Sequence, residues 1–194
     1  MNNTIITAAS QVTEADLKSA RLGTRFGRMD LASQLALLAV EQLGVDFDKF
    51  PRDRIAICLA ARAGSLSTDA AYWSGRDNAG GVSPTLFAYT LPSAAMGEIA
   101  IRHRLTGPNL CLANRDDLLP EATDFLARGE ADACVCVFVE AISPEAAKII
   151  QAQPTAVAGA VFLQPGEGSL PRTPEFDRDI KSLCASFSGQ KTVI

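Results

Sequence analysis

Short apolar runs bounded by turn residues, and separated by segments of helical pattern, constrain this chain more than any other feature. The strongest is "DACVCVFVEA" (132–141), which reads as a strand. "RIAICLAA" (54–61) is a continuous apolar run too short for a helix and reads as a buried strand. "IITAA" (5–9), "NLCLA" (109–113) and "AGAVFLQP" (158–165) complete a set of five. Helices are expected between them. "DLASQLALLAVEQLG" has Asp30 as N-cap, an apolar face at Leu31, Leu35 and Leu38, and Gly44 as terminator. Pro92 opens a helix that runs to about Arg104, "DLLPEATDFLARG" (117–129) closes on Gly129, and "SPEAAKIIQAQ" (143–153) has Ser143 as cap and Pro144 at its first position. Residues 62–81 read as a loop with at most one helical turn. Strands alternating with helices imply an α/β fold: a mostly parallel five-stranded sheet with helices on both faces. Residues 1–165 are expected to form that domain. Residues 166–194, rich in Gly, Pro, Ser and charge until "IKSLCASF", are expected to form a loosely packed tail.

At 194 residues the chain is long enough to bury a core without disulfides or metals. A net charge of -4 with scattered basic residues gives no footprint for nucleic acid. The one short basic run, Arg21, Arg25 and Arg28, reads as a solvated loop or a carboxylate-paired turn. No apolar run reaches the roughly 18 residues needed to span a bilayer, and no secretory pattern opens the chain. Five cysteines, an odd number with several inside apolar runs, suit reduced thiols in a cytoplasmic protein.

The residues that carry chemistry elsewhere read blandly here. Cys134 and Cys136 share one strand face but lack the further ligands a metal needs, so they read as core cysteines. His103, the sole histidine, sits at a helix end, where capping or solvation suits it. Asp116 and Asp117 lie at the start of a helix, where the dipole favours acids without any function. Gly64, Gly80 and Gly81 fit no phosphate-binding fingerprint. Neither a metal nor a cofactor is expected.

The stretch "VSPTLFAYTLPSAAMGEIAIRHRLTGPNLCLANRDD" (82–117) nevertheless resembles the β-ketoacyl synthases of the thiolase superfamily. Ser83-Pro84, the small-residue helix entry from Leu91 to Gly97, and the Gly107-Pro108 turn match their order. "ARGEADACVCVFVEA" is similar to a family strand at Gly129, Asp132 and Glu140. "RFGRMDLASQLALLAVEQLG" and "GAVFLQP" resemble the first helix region and the last strand of the N-terminal half, so the likeness covers about residues 20–165.

Two departures shape what the resemblance implies. The position of the family's nucleophilic cysteine falls on Asp116; Cys111 is five residues early, inside the strand. A carboxylate cannot carry the acyl thioester of this condensation. The family's catalytic histidines and lysine belong to a C-terminal half that the sequence does not contain. On the helix after Asp116, Leu118, Ala122, Phe125 and Leu126 form one stripe while Glu121, Asp124 and Arg128 fall away from it, the pattern of a surface helix. The resemblance therefore implies a thiolase-like half-domain without catalysis, of chain-length-factor type. It would act in fatty acid, polyketide or aryl-polyene-like biosynthesis, with an active ketosynthase and an acyl carrier protein as partners, as a homo- or heterodimer. Leu86 maps to the family's acyl-tunnel lining, with Phe87 and Tyr89 beside it; ordinary packing accounts for the three equally well. A self-associating structural protein with this fold and no acyl-chain role is the alternative.

Overall fold

The structure, a computed structural model, describes residues 4–77 and 80–166. In chain order the elements are β1 (Thr4–Thr13), α1 (Glu14–Leu17), α2 (Leu31–Gln42), β2 (Ile55–Ala60), α3 (Leu66–Ser74), α4 (Pro84–Phe87), α5 (Ala94–His103), β3 (Asn109–Leu112), α6 (Leu118–Ala127), β4 (Ala133–Ile142), α7 (Pro144–Ile150) and β5 (Thr155–Pro165). The five strands make one sheet in the order β1-β5-β4-β2-β3. The tail expected over 166–194 lies outside the described residues, Gly166 excepted.

The central strands are apolar throughout because both faces of the sheet are covered. Alternate residues of β2 and β4 point to opposite sides. Ile55, Ile57, Leu59, Val135, Val137 and Val139 enter one core, shared with α2 and α5. Ala56, Cys58, Ala60, Cys134 and Cys136 enter the other, beneath α6. Bulk on one side and small side chains on the other let α6 lie close to the sheet. α2 is buried along most of its length, from Leu35 to Val40, and so is more enclosed than its three-leucine stripe suggests. Leu35, Leu37, Leu38 and Val40 each contribute about 1.5–3 kcal/mol through burial.

The sheet is mixed, where a mostly parallel one was expected. β2 pairs in parallel with β3 and β4, but β5 runs antiparallel to both β4 and β1. The length of α7 accounts for this. β4 is 10 residues, about 33 Å. A parallel return needs a crossover helix that carries the chain back along that length, and the seven residues of α7 span only about 10 Å. The chain therefore turns at the end of β4 and comes back as its antiparallel neighbour.

A second correction concerns residues 62–81. In place of a loop with at most one helical turn, α3 forms over nine residues. Only Thr68 of α3 is buried, so no apolar stripe marks the helix. Tertiary hydrogen bonds hold it instead. The Thr68 hydroxyl donates to Asp30 Oδ2 at 2.8 Å, and Ser67 Oγ donates to the Ala141 carbonyl at 2.7 Å while accepting from the Ser143 N–H at 2.8 Å. β1 also runs further than expected, through the polar Ser10 and Gln11, and Ser10 Oγ reaches the Ala39 carbonyl of α2.

Gly107 is needed at the turn into β3. A Cβ there would stand 2.3 Å from the Ile55 carbonyl oxygen of β2, closer than any real contact. Among the described residues, no helix is long and apolar enough to cross a membrane.

Candidate functional site

β3 ends at Leu112, and the chain passes through a tight turn at Arg115–Asp117 before α6 begins. Asn114 organises this turn: its Oδ1 accepts from the Asp116 N–H at 3.2 Å, and its Nδ2 donates to Asp117 Oδ2 at 3.1 Å. The turn lies beyond the carboxyl ends of β2 and β3 and beside the last part of β4, the edge where α/β sheets place their sites. A cleft of about 820 Å³ opens there, bordered by Asp116 and Arg115, with Phe138, Glu140 and Arg62 opposite. The Arg115 guanidinium lies over the Phe138 ring at 4.7 Å. Glu140 is buried; its Oε1 accepts the Arg62 N–H at 2.8 Å, and its Oε2 is 3.5 Å from Arg62 Nη2. The cleft therefore combines charged groups with apolar wall from Phe138 and Val157.

Among the described residues, the groups that acyl-transfer chemistry requires are not assembled at this turn. Asp116 is exposed to solvent. His103 terminates α5, before β3 begins, whereas Asp116 comes after the end of β3, so the strand separates them. The histidine is also less exposed than capping or solvation implies. Its side chain is 15% accessible, packs edge-on against Phe47 with ring centroids 4.8 Å apart, and has Nε2 3.8 Å from Glu41 Oε1. Burial, only partly offset by Glu41, holds its pKa below the usual 6.5.

The four described thiols are equally remote. Cys58, Cys134 and Cys136 are buried beneath α6, with Cys134 Sγ 3.8 Å from each of the other two. A hydrogen bond with Cys134 and then burial push the Cys58 thiol far up; burial does the same to Cys134 and Cys136. Thiols so raised are poor nucleophiles. Cys111 packs half-buried on the opposite face of the sheet, its pKa also raised by burial. Among the described residues, no group of His, Cys, Asp and Glu is placed to hold a metal.

The segment after Ser83-Pro84 has a different character. Ser83 caps α4, its Oγ accepting the Leu86 N–H at 3.2 Å. Leu86 is half-buried, and Phe87 projects with 61% of its surface exposed, its ring 5.5 Å from that of Tyr72 on α3. Trp73 and Leu91 are exposed nearby in sequence. Tyr89 points the other way. It is buried, and its hydroxyl donates to Glu98 Oε1 at 2.9 Å. Arg25 completes the arrangement, with Nε donating to Glu98 Oε2 at 2.8 Å and Nη2 to Oε1 at 3.0 Å. The carboxylate-paired turn expected for the basic run is thus present at Arg25. Sequence reasoning misses Glu98, although an acid alone in the apolar stretch "AAMGEIAI" is a signal that could have found it.

A shallower groove shares Arg62 and Gln153 with the cleft and reaches Gly64, Ser65 and Pro92. The Asp116 turn and the base of the Phe87 segment therefore lie along one stretch of concave surface.

No protein-family model matches the chain, and no curated protein matches it. Solved structures do. The ishigamide ketosynthase/chain length factor superposes with a TM-score of 0.70 at 20% identity, covering 86% of this chain and 63% of that one. A complex of the acyl-carrier protein AntF with its ketosynthase AntDE gives 0.68 at 15% identity, over 85% and 63%. The chain thus spans less than two thirds of these relatives. A chain from the ketosynthase ApeO in complex with its chain length factor ApeC, of Xenorhabdus doucetiae, gives 0.68 at 16% identity over 97% and 93%, so it is of about equal length. The protein has the α/β fold of ketosynthases and chain length factors.

Proposed function

We propose that this protein is a non-catalytic, ketosynthase-like subunit of chain-length-factor type that pairs with an active ketosynthase. The observation that carries the reading is the turn after β3. Where the resemblance expects a nucleophilic cysteine, the turn presents the exposed carboxylate of Asp116, while Cys58, Cys134 and Cys136 are sealed in the sheet, Cys111 is half-buried within β3, and His103 is at the far end of β3. An exposed aspartate without a neighbouring base has no route to an acyl-enzyme or to carbanion formation.

The acyl chain is met at the segment after Ser83-Pro84. Leu86 and Phe87, on the projecting α4 turn, line the tunnel of the partner ketosynthase and stop growth by bulk. Tyr89 anchors the same segment from inside. Acyl carrier protein delivers the substrates to the ketosynthase. The outer face of α6 and the turn that ends it carry Glu121, Asp124, Arg128 and Glu130, with Arg128 bonded to both Asp124 and Glu130, which suits water or a polar surface and not a second apolar half. The setting is fatty acid, polyketide or aryl-polyene-like biosynthesis.

The test is reconstitution. The tagged protein is co-expressed with candidate ketosynthases of its host, the complex is isolated, and product lengths are read by mass spectrometry. Equal amounts of a ketosynthase, and longer products with Phe87→Ala or Leu86→Ala, are the expected results. Unchanged lengths with both variants remove these residues from the tunnel. A self-associating scaffold is the second reading, favoured by the position of β3 at the edge of the described sheet.

A further inference from the structure

We propose that Arg25, Glu98 and Tyr89 are positioning residues: together they fix the orientation of the Leu86–Phe87 turn and so sharpen the length at which chain growth stops. The inference rests on the tunnel-lining reading above and adds to it the device that holds the tip in place.

A four-residue helix cannot fix its own position, since one turn of backbone hydrogen bonds does not offset the cost of nucleation. α4 touches α3 through the Phe87 and Tyr72 rings, and the residues that come after it add three further attachments. Tyr89 turns into the core two residues beyond Phe87, so an inward Tyr89 keeps Phe87 outward. The Thr90 carbonyl accepts from Ser65 Oγ at 2.9 Å. Pro92 packs against Gly64, where an added Cβ would lie 3.2 Å from the proline ring. Of these three attachments, the one closest to the tip is the Tyr89 hydroxyl on Glu98.

Glu98 is an unexpected residue for its place. It is 6% exposed on a helix whose neighbouring buried residues are Ala95 and Ile99. A buried carboxylate is tolerated only when fully paired, and apolar residues of similar volume at positions 98 and 89 would serve stability as well or better. What the carboxylate provides is direction. It takes two hydrogen bonds from Arg25, whose side chain is 61% exposed and comes from the loop before α2, and one from Tyr89. The loop at Arg25, 73 residues from Glu98, and the segment at Tyr89, 9 residues from it, are thereby held in one geometry, and the planar, bidentate Arg25 pair leaves little freedom of angle. Burial and the bond to Glu98 raise the Tyr89 pKa to about 12, so the hydroxyl keeps its proton at any working pH.

The experiment uses the reconstituted pair and two readouts. Tyr89→Phe keeps the ring and removes only the hydroxyl; Arg25→Ala removes an exposed side chain that contributes little to the core. Hydrogen exchange at the Tyr89 and Thr90 amides is expected to quicken by about tenfold in Tyr89→Phe, the factor one hydrogen bond to a charged group is worth, while exchange along α5 stays unchanged. Product lengths, compared as ratios that a general loss of folded protein does not move, are expected to spread to neighbouring lengths in both variants. Arg25→Lys is expected to restore part of the sharpness. Unaltered ratios in Tyr89→Phe and Arg25→Ala, with Phe87→Ala still lengthening products, overturn the positioning role and leave the tunnel reading standing. Unaltered ratios in Phe87→Ala as well overturn both.

Discussion

Two residues show how much of this fold depends on single atoms. Gly107 has no room for a methyl group: the obstacle is the backbone of β2, which cannot swing aside as a side chain would. Gly107→Ala is expected to destabilise the protein by about 3 kcal/mol or to prevent folding, as read by urea unfolding. Asp30 does two jobs with its two oxygens. Oδ1 caps α2 by accepting the Ser33 N–H at 3.0 Å, and Oδ2 receives the buried Thr68 hydroxyl of α3. Asp30→Ala removes the cap and leaves a buried hydroxyl without its acceptor, for a combined loss of about 2–4 kcal/mol. Asp30→Asn keeps a capping oxygen and offers Thr68 an amide to accept from, so its loss is expected to stay below about 1 kcal/mol. Equal losses for the two variants would show that charge, and not hydrogen bonding, holds this junction.

At the scale of elements, what the sequence made legible is what a buried face writes into it. β2 and β4 are apolar at nearly every position because both sides are covered, and α6 shows its stripe because one side is not. α3 left no such trace, since Ser67 and Thr68 hold it by hydrogen bonds to residues far along the chain. The reversed direction of β5 comes from the short span of α7, and apolar periodicity carries no direction. In the candidate site, the Ser83-Pro84 segment and the turn at Asp116 were visible as motifs, but the link from Tyr89 to Glu98 and Arg25 depends on tertiary contacts alone. α5 also carries the protein's clearest pH sensitivity. His103 has a folded pKa below 6.5 because burial outweighs Glu41, with Arg102 and Arg52 acting in the same direction as burial. The unfolded chain then binds a proton more readily than the native one, so this contribution to stability is complete above about pH 6.5 and is lost as the pH falls through and below that value. Stability by urea unfolding is expected to drop as the pH falls below about 6.5, and His103→Phe is expected to flatten that drop. Asp16 and Asp132, whose pKa values are lowered by bonds to Thr13 and Arg54, act only at lower pH. An unchanged slope in His103→Phe would assign the effect to another group.

For the whole molecule, the deciding question is which surface is left for a partner, and the sheet gives a sharp way to ask it. β3 closes the described sheet on one side. The Pro108 and Leu112 carbonyls bond inward to the Ile57 and Ala61 N–H groups of β2, so by the two-residue alternation of a strand the N–H groups of Asn109 and Cys111 face outward. An edge of this kind is a template for a strand from another chain, identical or not. Proline at position 111 removes one outward donor without touching the inward ladder, and Leu110 before it is already extended, as a residue preceding proline must be. Cys111→Pro is therefore expected to keep the monomer folded, with a stability change of about 1 kcal/mol, and to abolish association through this edge. Native mass spectrometry with and without the ketosynthase separates the two readings of the protein. Loss of a heterodimer in the variant, with no homodimer in the parent, fits a chain-length-factor subunit. Loss of a homodimer that forms even when the ketosynthase is present fits the self-associating scaffold. Assemblies unaffected by the proline would move the interface from the sheet edge to the exposed side chains around Phe87 and Trp73, where alanine at both positions would then be the variant that separates the chains.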